Sequence, residues 1–283
     1  MGFISLGALV GRNQSFESPL DPAGLPPGWG LAGFQQASFY PVYQVHSSHQ
    51  GLGCHVFSTA APLPEFSYDY SGDELDKVVF QEVSTHAVQT VFWHTASPVD
   101  SGDWAANLYG SAGGAASQVL GGEGRMVPWK VSLWTTSHGG SPRFGLQRTG
   151  GFTKTTSWGM DNVLTQVDWM TIAQGEGFKR RENRLAQWDR SAQGLLVSGV
   201  GELYPAFDVP VQWLTTLQAD LINWWWEKGT FLAFTVEPSD MATTAICVIA
   251  NNTQPVRRRI SPYPDKWEAK LELMGVNNWA LSF

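Results

Sequence analysis

Charged residues are scarce in this sequence. Asp, Glu, Lys and Arg make up 15% of its 283 residues, whereas hydrophobic residues make up 43% and aromatic residues 13%. Soluble domains usually contain about 25% charged residues, and disordered chains lack the apolar side chains whose burial offsets conformational entropy. The composition therefore excludes intrinsic disorder. A chain of this length can bury about 75% of its unfolded surface, so we expect a large core that needs no metal or disulfide.

Basic residues are the scarcer of the two charge types. The sequence has 18 Lys and Arg against 25 Asp and Glu, which gives a formal net charge of −7. A protein that follows nucleic-acid phosphates needs an extended basic surface. We therefore expect no nucleic-acid partner.

Cysteines and long apolar runs are also few. Cys54 and Cys247 lie far apart and are too few for a disulfide framework, so a reducing compartment is the simpler expectation. The apolar residues 1–10 have no Lys or Arg before them and no clear small-residue cleavage site, unlike a signal peptide. The apolar run 221–226 ends at Glu227 and is far shorter than the roughly 20 residues that span a bilayer. We expect no membrane association.

Recognisable catalytic and metal-binding motifs are missing. His46, His49, Cys54 and His55 form the only cluster that resembles metal ligands, and their spacing differs from that of zinc sites. The glycine-rich residues 110–124 lack the Gly-Lys-Ser/Thr of a phosphate-binding loop and predict a flexible surface loop. We therefore predict no enzyme activity, cofactor or metal. Glycosidase chemistry stays open at this point, because its two carboxylates meet only in space.

Short runs of aromatic and β-branched residues, separated by Gly or Pro, predict strands through most of the chain. We predict a mainly β (α+β) fold, an antiparallel β-sandwich or sheets with one prominent amphipathic helix near the C-terminus and long loops. Pro and Gly are dense in residues 11–33, which favours extended backbone there. The predicted organisation is an extended Pro/Gly-rich arm over 1–33, a β-rich region over 34–205, and a helix-plus-strand unit over 206–283.

The last quarter of the chain contains the predicted helix. Apolar residues from Trp213 to Trp225 recur at spacings of three and four. We predict that Asp208 caps this helix, that Pro210 lies in its first turn and that Gly229 ends it. Strands are predicted after Gly229, and the alternating residues 266–274 predict a half-exposed antiparallel strand.

Tryptophan is unusually abundant, with 14 residues. Exposed Trp faces stack on sugar rings in carbohydrate-binding proteins, so Trp104, Trp129, Trp134 and Trp158 leave a lectin-like function open. Burial in a core or a subunit interface is the favoured interpretation. The consecutive residues Trp224–Trp226 span about 200° of a helix surface, so at least one of them should face a loop or a partner.

A family resemblance rests on the same segment. In Val211–Val236 an aromatic-rich helix ends in Gly229 and leads into a strand with Phe231 and Phe234, and the alternating strand Trp267–Met274 follows. Over roughly residues 206–276 this pattern resembles structural proteins of bacteriophage tails, in particular the distal tail and minor tail (baseplate hub) protein group. The resemblance implies β-sandwich subunits that form a ring, commonly hexameric, at the tip of the tail tube, without a conventional active site.

We therefore expect a structural subunit of a phage tail tip or baseplate, which forms a ring with other copies of itself and connects the tail tube to host-recognition components. Its expected partners are other copies and other tail or baseplate proteins, and its expected location is the virion tail after synthesis in the host cytoplasm. The alternative is a carbohydrate-binding or host-receptor-recognition module.

The candidate interface and packing residues share large apolar or basic side chains in the last quarter of the chain. They are Trp213, Leu217, Leu221, Trp224, Trp225, Trp226, Phe231, Phe234, Arg257, Arg258, Arg259 and Trp267. Among them, Trp213, Trp224, Trp225 and Phe231 are expected to anchor the helix on a sheet. The basic run Arg257–Arg259 is expected to pair with acidic groups of a neighbouring subunit or to be solvated. Residues 11–33 and 110–124 are expected to reach adjacent subunits.

Overall fold

A computed structural model of the chain describes sixteen stretches of residues. They are 2–10, 29–32, 39–44, 53–58, 65–69, 86–96, 104–109, 115–119, 127–135, 143–148, 156–184, 187–190, 196–199, 203–238, 244–260 and 262–275. The first eleven strands are β1 (Phe3–Val10), β2 (Trp29–Ala32), β3 (Phe39–Gln44), β4 (Gly53–Ser58), β5 (Glu65–Asp69), β6 (His86–Ala96), β7 (Trp104–Tyr109), β8 (Ala115–Val119), β9 (Val127–Thr135), β10 (Arg143–Arg148) and β11 (Thr156–Gln174). The remaining elements are β12 (Lys179–Arg184), β13 (Gln187–Arg190), β14 (Leu196–Gly199), β15 (Leu203–Leu214), helix α1 (Thr216–Lys228), β16 (Leu232–Thr235), β17 (Thr244–Ile249), β18 (Val256–Ile260) and β19 (Tyr263–Gly275).

The chain divides into two compact units. Residues 1–8 and 170–283 form one, which we call the terminal unit, and residues 9–169 form the other, which we call the central unit. This division does not follow the predicted boundaries after residues 33 and 205. β1 lies within the segment that was predicted as an arm, and residues 11–28 of that segment lie outside the described residues.

Two antiparallel sheets build the central unit. One sheet has the order β9-β6-β11-β4-β3 and the other has the order β2-β5-β10-β7-β8. Phe92 of β6 and Phe144 of β10 join the two sheets, with ring centroids 5.2 Å apart, and Trp29 of β2 meets Phe144 edge-on. These contacts make the central unit a β-sandwich, as the aromatic and β-branched runs predicted.

The predicted surface loop over 110–124 contains a strand, so that prediction was wrong for part of the segment. β8 pairs along its whole length with β7, from Ala105↔Val119 to Tyr109↔Ala115. The residues of β8 are small and polar, and their own β propensity is low. Hydrogen bonding to a neighbouring strand overrides that local preference.

Six antiparallel strands close into a cylinder in the terminal unit. Their order is β11-β15-β19-β17-β16-β1, and β1 pairs back with β11. The closing contacts include the pairs Ala173↔Gln212 and Gln174↔Val211, and the Gln174 N–H donates to the Gly2 carbonyl at 2.9 Å. Closure removes the unpaired edges that an open sheet of these strands would expose. β12 and β18 pair with β15 and β19 outside this ring.

The interior of the cylinder follows the period of two that strands impose on side chains. Along β15, for example, Phe207, Val209 and Val211 are buried, and their partners Leu273 and Leu271 on β19 are buried as well. Further buried apolar residues of these six strands include Ile4, Leu6, Ala8, Ile172, Leu232, Phe234, Ala245, Cys247 and Ile249. Burial raises the pKa of the Cys247 thiol, so this cysteine acts as an apolar core residue.

Helix α1 begins at a capping box that differs from the predicted start. The Gln218 N–H donates to Thr215 Oγ1 at 3.2 Å, and the Thr215 N–H donates to Gln218 Oε1 at 2.9 Å. Asp208 and Pro210 were predicted in the cap and first turn, and that prediction was wrong because both lie in β15. The 3.6-residue spacing of the apolar residues is real only from Leu217 onwards.

The end of α1 was predicted correctly at Gly229. This residue has φ +61°, and the Thr230 N–H that follows it donates to the Trp225 carbonyl at 3.0 Å. The helix packs its buried residues Ala219, Leu221, Ile222 and Trp225 against the unit. The Asn223 side chain both accepts from the Val256 N–H and donates to the Val256 carbonyl, which ties α1 to β18.

The predicted fold class is confirmed. The described residues form antiparallel sheets with one helix near the C-terminus, and the alternating segment 266–274 lies within β19, where Leu271 and Leu273 are buried. No helix in the described ranges combines the length and the apolar character that crossing a membrane would require.

Replacing Gly229 with Ala should lower the free energy of unfolding of the terminal unit by about 1 kcal/mol, because a Cβ disfavours the left-handed conformation. No atom lies within 4 Å of the position of the new Cβ, so the loss comes from the backbone. Urea denaturation measures it. Gly229→Asn should lose less, because Asn tolerates this conformation. Lys228→Ala is the helix control, and an equal loss in that variant would contradict the assignment.

Asp208 predicts an acid-dependent loss of stability. Partial burial raises its pKa. Arg181, at 2.5 Å, and Lys270, at 3.5 Å, together lower the pKa by more than burial raises it, so the pKa lies below the ordinary 3.8. The folded state is therefore stabilised above pH 3.8, and this contribution is lost as the pH falls through the lower pKa of the folded state.

The measurement is thermal unfolding of wild type and Asp208→Asn between pH 7 and about pH 2. Wild type should be the more stable at neutral pH, and the difference should shrink on acidification. A difference that does not change with pH would show that the Asp208 charge does not stabilise the folded state.

Candidate functional site

A β-bulge near the end of β15 turns Trp213 out of the core. The register with β19 shifts between Val211↔Ala269 and Leu214↔Trp267, so β15 carries one extra residue there. Strict alternation from Phe207 through Val211 would bury Trp213 and expose Leu214. Instead Leu214 is fully buried and Trp213 is 42% exposed. The bulge therefore exchanges which of two apolar side chains enters the core.

The backbone of Trp213 is strained in the conformation that exposes its ring. Its φ is +61°, and Asp168 is the other non-glycine residue with positive φ within the described stretches. Asp tolerates the left-handed region because its short side chain can hydrogen-bond locally, but for a bulky residue this conformation costs about 1–2 kcal/mol. Such strain persists where surrounding contacts fix it, and it is concentrated at functional sites.

The exposed Trp213 ring meets a second exposed aromatic residue. Tyr263 at the start of β19 is 49% exposed, and the two ring centroids lie 5.4 Å apart at 62°. This edge-on arrangement is one that aromatic pairs favour. One ring meets the other with its edge, and the exposed fractions of 42% for Trp213 and 49% for Tyr263 leave a large part of both side chains open to a partner.

A cation and the start of α1 lie beside this pair. The Arg259 guanidinium lies over the Trp267 ring, 4.8 Å from its centroid, and Trp267 Nε1 donates to Thr216 Oγ1 at 3.3 Å. Leu217, next in the helix, is exposed. We call Trp213, Leu217, Arg259, Tyr263 and Trp267 the aromatic surface. Its residues come from β15, α1 and the β18–β19 hairpin of one unit.

The predicted site residues separate into core and surface. Leu221, Trp225 and Phe234 are buried, so they pack within the subunit. Trp213 and Phe231 are exposed, which corrects the prediction that both anchor the helix; Trp225 is the fully buried member of that set. Trp213 is exposed because the bulge in β15 turns its side chain away from the core.

Two further predictions concern the tryptophan run and the arginine run. Trp224 and Trp226 are half-buried, and Trp226 Nε1 donates to the Asn251 carbonyl at 2.8 Å, so one member of the run does face a loop. Arg257, Arg258 and Arg259 all lie on β18, and Arg259 stacks on Trp267 of its own chain. Arg259 is also exposed, so this contact leaves the expected solvated or intersubunit role of the run as a prediction.

Tyr263 was missed as a site residue. It lies 50 residues after Trp213, and the long-range pairing of β15 with β19 brings the two together. One local signal could have placed Trp213 outside the helix, because Thr215-x-x-Gln218 is itself a capping-box sequence. Of the four residues that resemble metal ligands, His46 and His49 lie outside the described residues. Within the described stretches, no three His, Cys, Asp or Glu residues lie close enough to hold an ion.

Trp213→Gly should give a more stable protein than Trp213→Ala, although both variants remove the same ring. Glycine adopts positive φ without the cost that a Cβ imposes, so the expected difference in free energy of unfolding is about 1 kcal/mol in favour of glycine. Urea denaturation of the two variants measures it. An alanine variant at least as stable as the glycine variant would show that Trp213 is not held in a strained conformation.

Comparisons with known proteins give weak likenesses. No protein-family model and no curated protein matches the chain. Among solved structures, the CBM22-1 xylan-binding domain of Paenibacillus barcinonensis Xyn10C is 14% identical, with a TM-score of 0.36 over 57% of this chain and 95% of that domain. The CBM22-1–GH10 modules of Clostridium thermocellum Xyn10B are 13% identical, with a TM-score of 0.37 over 57% of this chain and 29% of that one. The botulinum neurotoxin serotype C1 binding domain is 7% identical, with a TM-score of 0.31 over 97% of this chain and 95% of that domain. Likenesses at this level identify neither a family nor a ligand for this chain.

Proposed function

We propose that this chain is a structural subunit that assembles with other copies of itself through the aromatic surface of its terminal unit. The observation that carries the proposal is the outward-turned Trp213. The strained backbone that exposes this tryptophan destabilises the subunit by about 1–2 kcal/mol. Binding of a partner that covers the ring would offset this cost.

The composition of the aromatic surface supports the same function. Trp, Tyr and Arg are the residue types that contribute most to binding energy in protein interfaces, where they are surrounded by contacts that exclude water. The aromatic surface contains two Trp, one Tyr and one Arg, with the exposed Leu217 beside them. Its aromatic residues and Arg259 are held by contacts within the subunit, so they have little side-chain entropy left to lose on binding.

The place of this subunit in a larger assembly follows from the family resemblance. The pattern of Val211–Val236 and Trp267–Met274 resembles distal tail and minor tail proteins, which supports a role in a phage tail tip or baseplate. There the chain would form a ring, connect the tail tube to host-recognition components and carry no catalytic role. The helix ending in Gly229, the strand β16 that follows and the strand β19 are the elements that bear this resemblance.

Carbohydrate or host-receptor binding is the second candidate function. It is favoured by the exposed rings of Trp213 and Tyr263, because aromatic faces stack on sugar rings. The two rings lie at 62° to each other, so one flat sugar chain cannot stack on both faces at once. A glycan would use one ring as its platform, whereas a protein partner can cover both.

The test is the mass of the full-length protein as a function of concentration. Wild type should form multimers in mass photometry and analytical ultracentrifugation. Trp213→Asn should weaken assembly at least tenfold, because it removes the exposed ring. Asn is chosen because it tolerates the positive φ at this position. The matched control is Phe231→Thr, which removes an even more exposed aromatic residue (53%, against 42% for Trp213) outside the aromatic surface and should assemble as wild type does.

The same two proteins decide between the candidate functions. A wild type that stays monomeric at every concentration contradicts the assembly proposal. If that monomer binds a glycan array and Trp213→Asn does not, the second candidate is the function. Assembly of Trp213→Asn at wild-type concentrations would remove the aromatic surface from the interface.

A further inference from the structure

A groove of about 720 Å³ lies where β1 begins and β16 ends. Its apolar lining consists of Phe3, Phe178, Val236 and Pro238, and Glu237 is the ionisable residue of the lining. The groove belongs entirely to the terminal unit. Its volume falls within the range of about 300–1,000 Å³ that is typical of ligand sites.

The walls of the groove are fixed by contacts with the core. Phe178 stacks on the buried Phe207, with ring centroids 6.3 Å apart and planes at 20°. The Gln174 N–H holds the Gly2 carbonyl at 2.9 Å, which positions the start of β1. Phe3 follows directly and is 55% exposed, although the next residue, Ile4, is fully buried. The groove is therefore a preformed apolar surface.

We propose that this groove receives the Trp213–Tyr263 pair of a second copy of the chain. The inference rests on the proposed function, because it names the partner of the same aromatic surface. An interface anchor is typically an aromatic side chain that fills a well-packed pocket on the partner. One chain here presents both parts: two exposed aromatic rings and an apolar groove with space for them.

Each of the two parts has an exposed charged residue, and these two charges are opposite in sign. Arg259 is exposed in the aromatic surface, and Glu237 is exposed at the groove. Docking the pair into the groove brings a cation and a carboxylate into one interface, which favours this pairing over contact between two like surfaces. Two aromatic surfaces placed face to face would instead bring two Arg259 side chains together.

The groove and the aromatic surface are different patches, so the contact between copies is heterologous. Each copy then uses its aromatic pair toward one neighbour and its groove toward the other. Such a contact produces a closed ring when the rotation between copies divides a full turn. A ring is the assembly that the proposed function requires.

The first experiment compares two exposed phenylalanines of the full-length protein. Phe3 is 55% exposed and lines the groove, whereas Phe231 is 53% exposed and does not. Phe3→Thr should raise the concentration needed for assembly at least tenfold. Phe231→Thr should leave it unchanged. Circular dichroism and the unfolding midpoint confirm that each variant folds. Equal assembly of both variants and wild type overturns the inference.

The second experiment mixes two variants that are each defective in one patch. Trp213→Asn keeps its groove and Phe3→Thr keeps its aromatic pair, so each alone should be monomeric. In a one-to-one mixture the aromatic pair of the Phe3→Thr protein enters the groove of the Trp213→Asn protein. The other groove and the other pair are both defective, so only dimers should form. Mass photometry counts the copies.

The outcomes separate the two proposals. Multimers of wild type without dimers in the mixture overturn the groove as the partner site and leave assembly intact. A monomeric wild type instead overturns the proposed function itself. Dimers in the mixture, with nothing larger, support the groove as the partner of the aromatic pair.

Discussion

Backbone pairing between β1 and the last third of the chain is the constraint on which the terminal unit depends. Ser5–Ala8 pair with Leu232–Thr235, and the start of β1 is tied to the end of β11. Without β1 the remaining strands would form an open sheet with two edges, and the interior residues Phe207 and Phe234 would lose a wall. The pairing therefore supports both the core and the groove, since the groove lies at the beginning of the same strand.

The bulge in β15 shows how a closed sheet can present a side chain without losing its core. Leu214 fills the interior position next to Trp267, and the extra residue is absorbed at one strained backbone position. The cost is confined to Trp213, because the pairing is regular up to Val211↔Ala269 and resumes at Leu214↔Trp267. Arg259, Trp267 and Thr216 then hold the neighbouring elements together, so that the exposed rings stand on a rigid base.

Local features of the fold could be predicted from the sequence, whereas the site could not. The end of α1 was predicted because a terminating Gly, here Gly229, acts within a single helical turn. β19 was predicted because the alternation of apolar and charged residues is contained within 266–274. The start of α1 was misplaced because the residues before Thr215 fit a helical spacing by chance while belonging to a strand. The bulge depends on which residues of β19 face β15, and the Trp213–Tyr263 contact depends on the same pairing of segments about 50 residues apart. Long-range pairings of this kind leave no local pattern.

The distance in sequence between β1 and β16 also affects the order in which the protein can fold during synthesis. β16 leaves the ribosome more than 220 residues after its partner β1. At about 5–20 residues per second, the apolar strand must wait roughly 10–45 s for that partner. The intervening residues 9–169 can fold as a compact unit during this time, whereas β1 still lacks one of its two neighbouring strands. Nascent chains therefore carry this apolar strand with one side unpaired until β16 has been made, and any product truncated before β16 keeps that side unpaired.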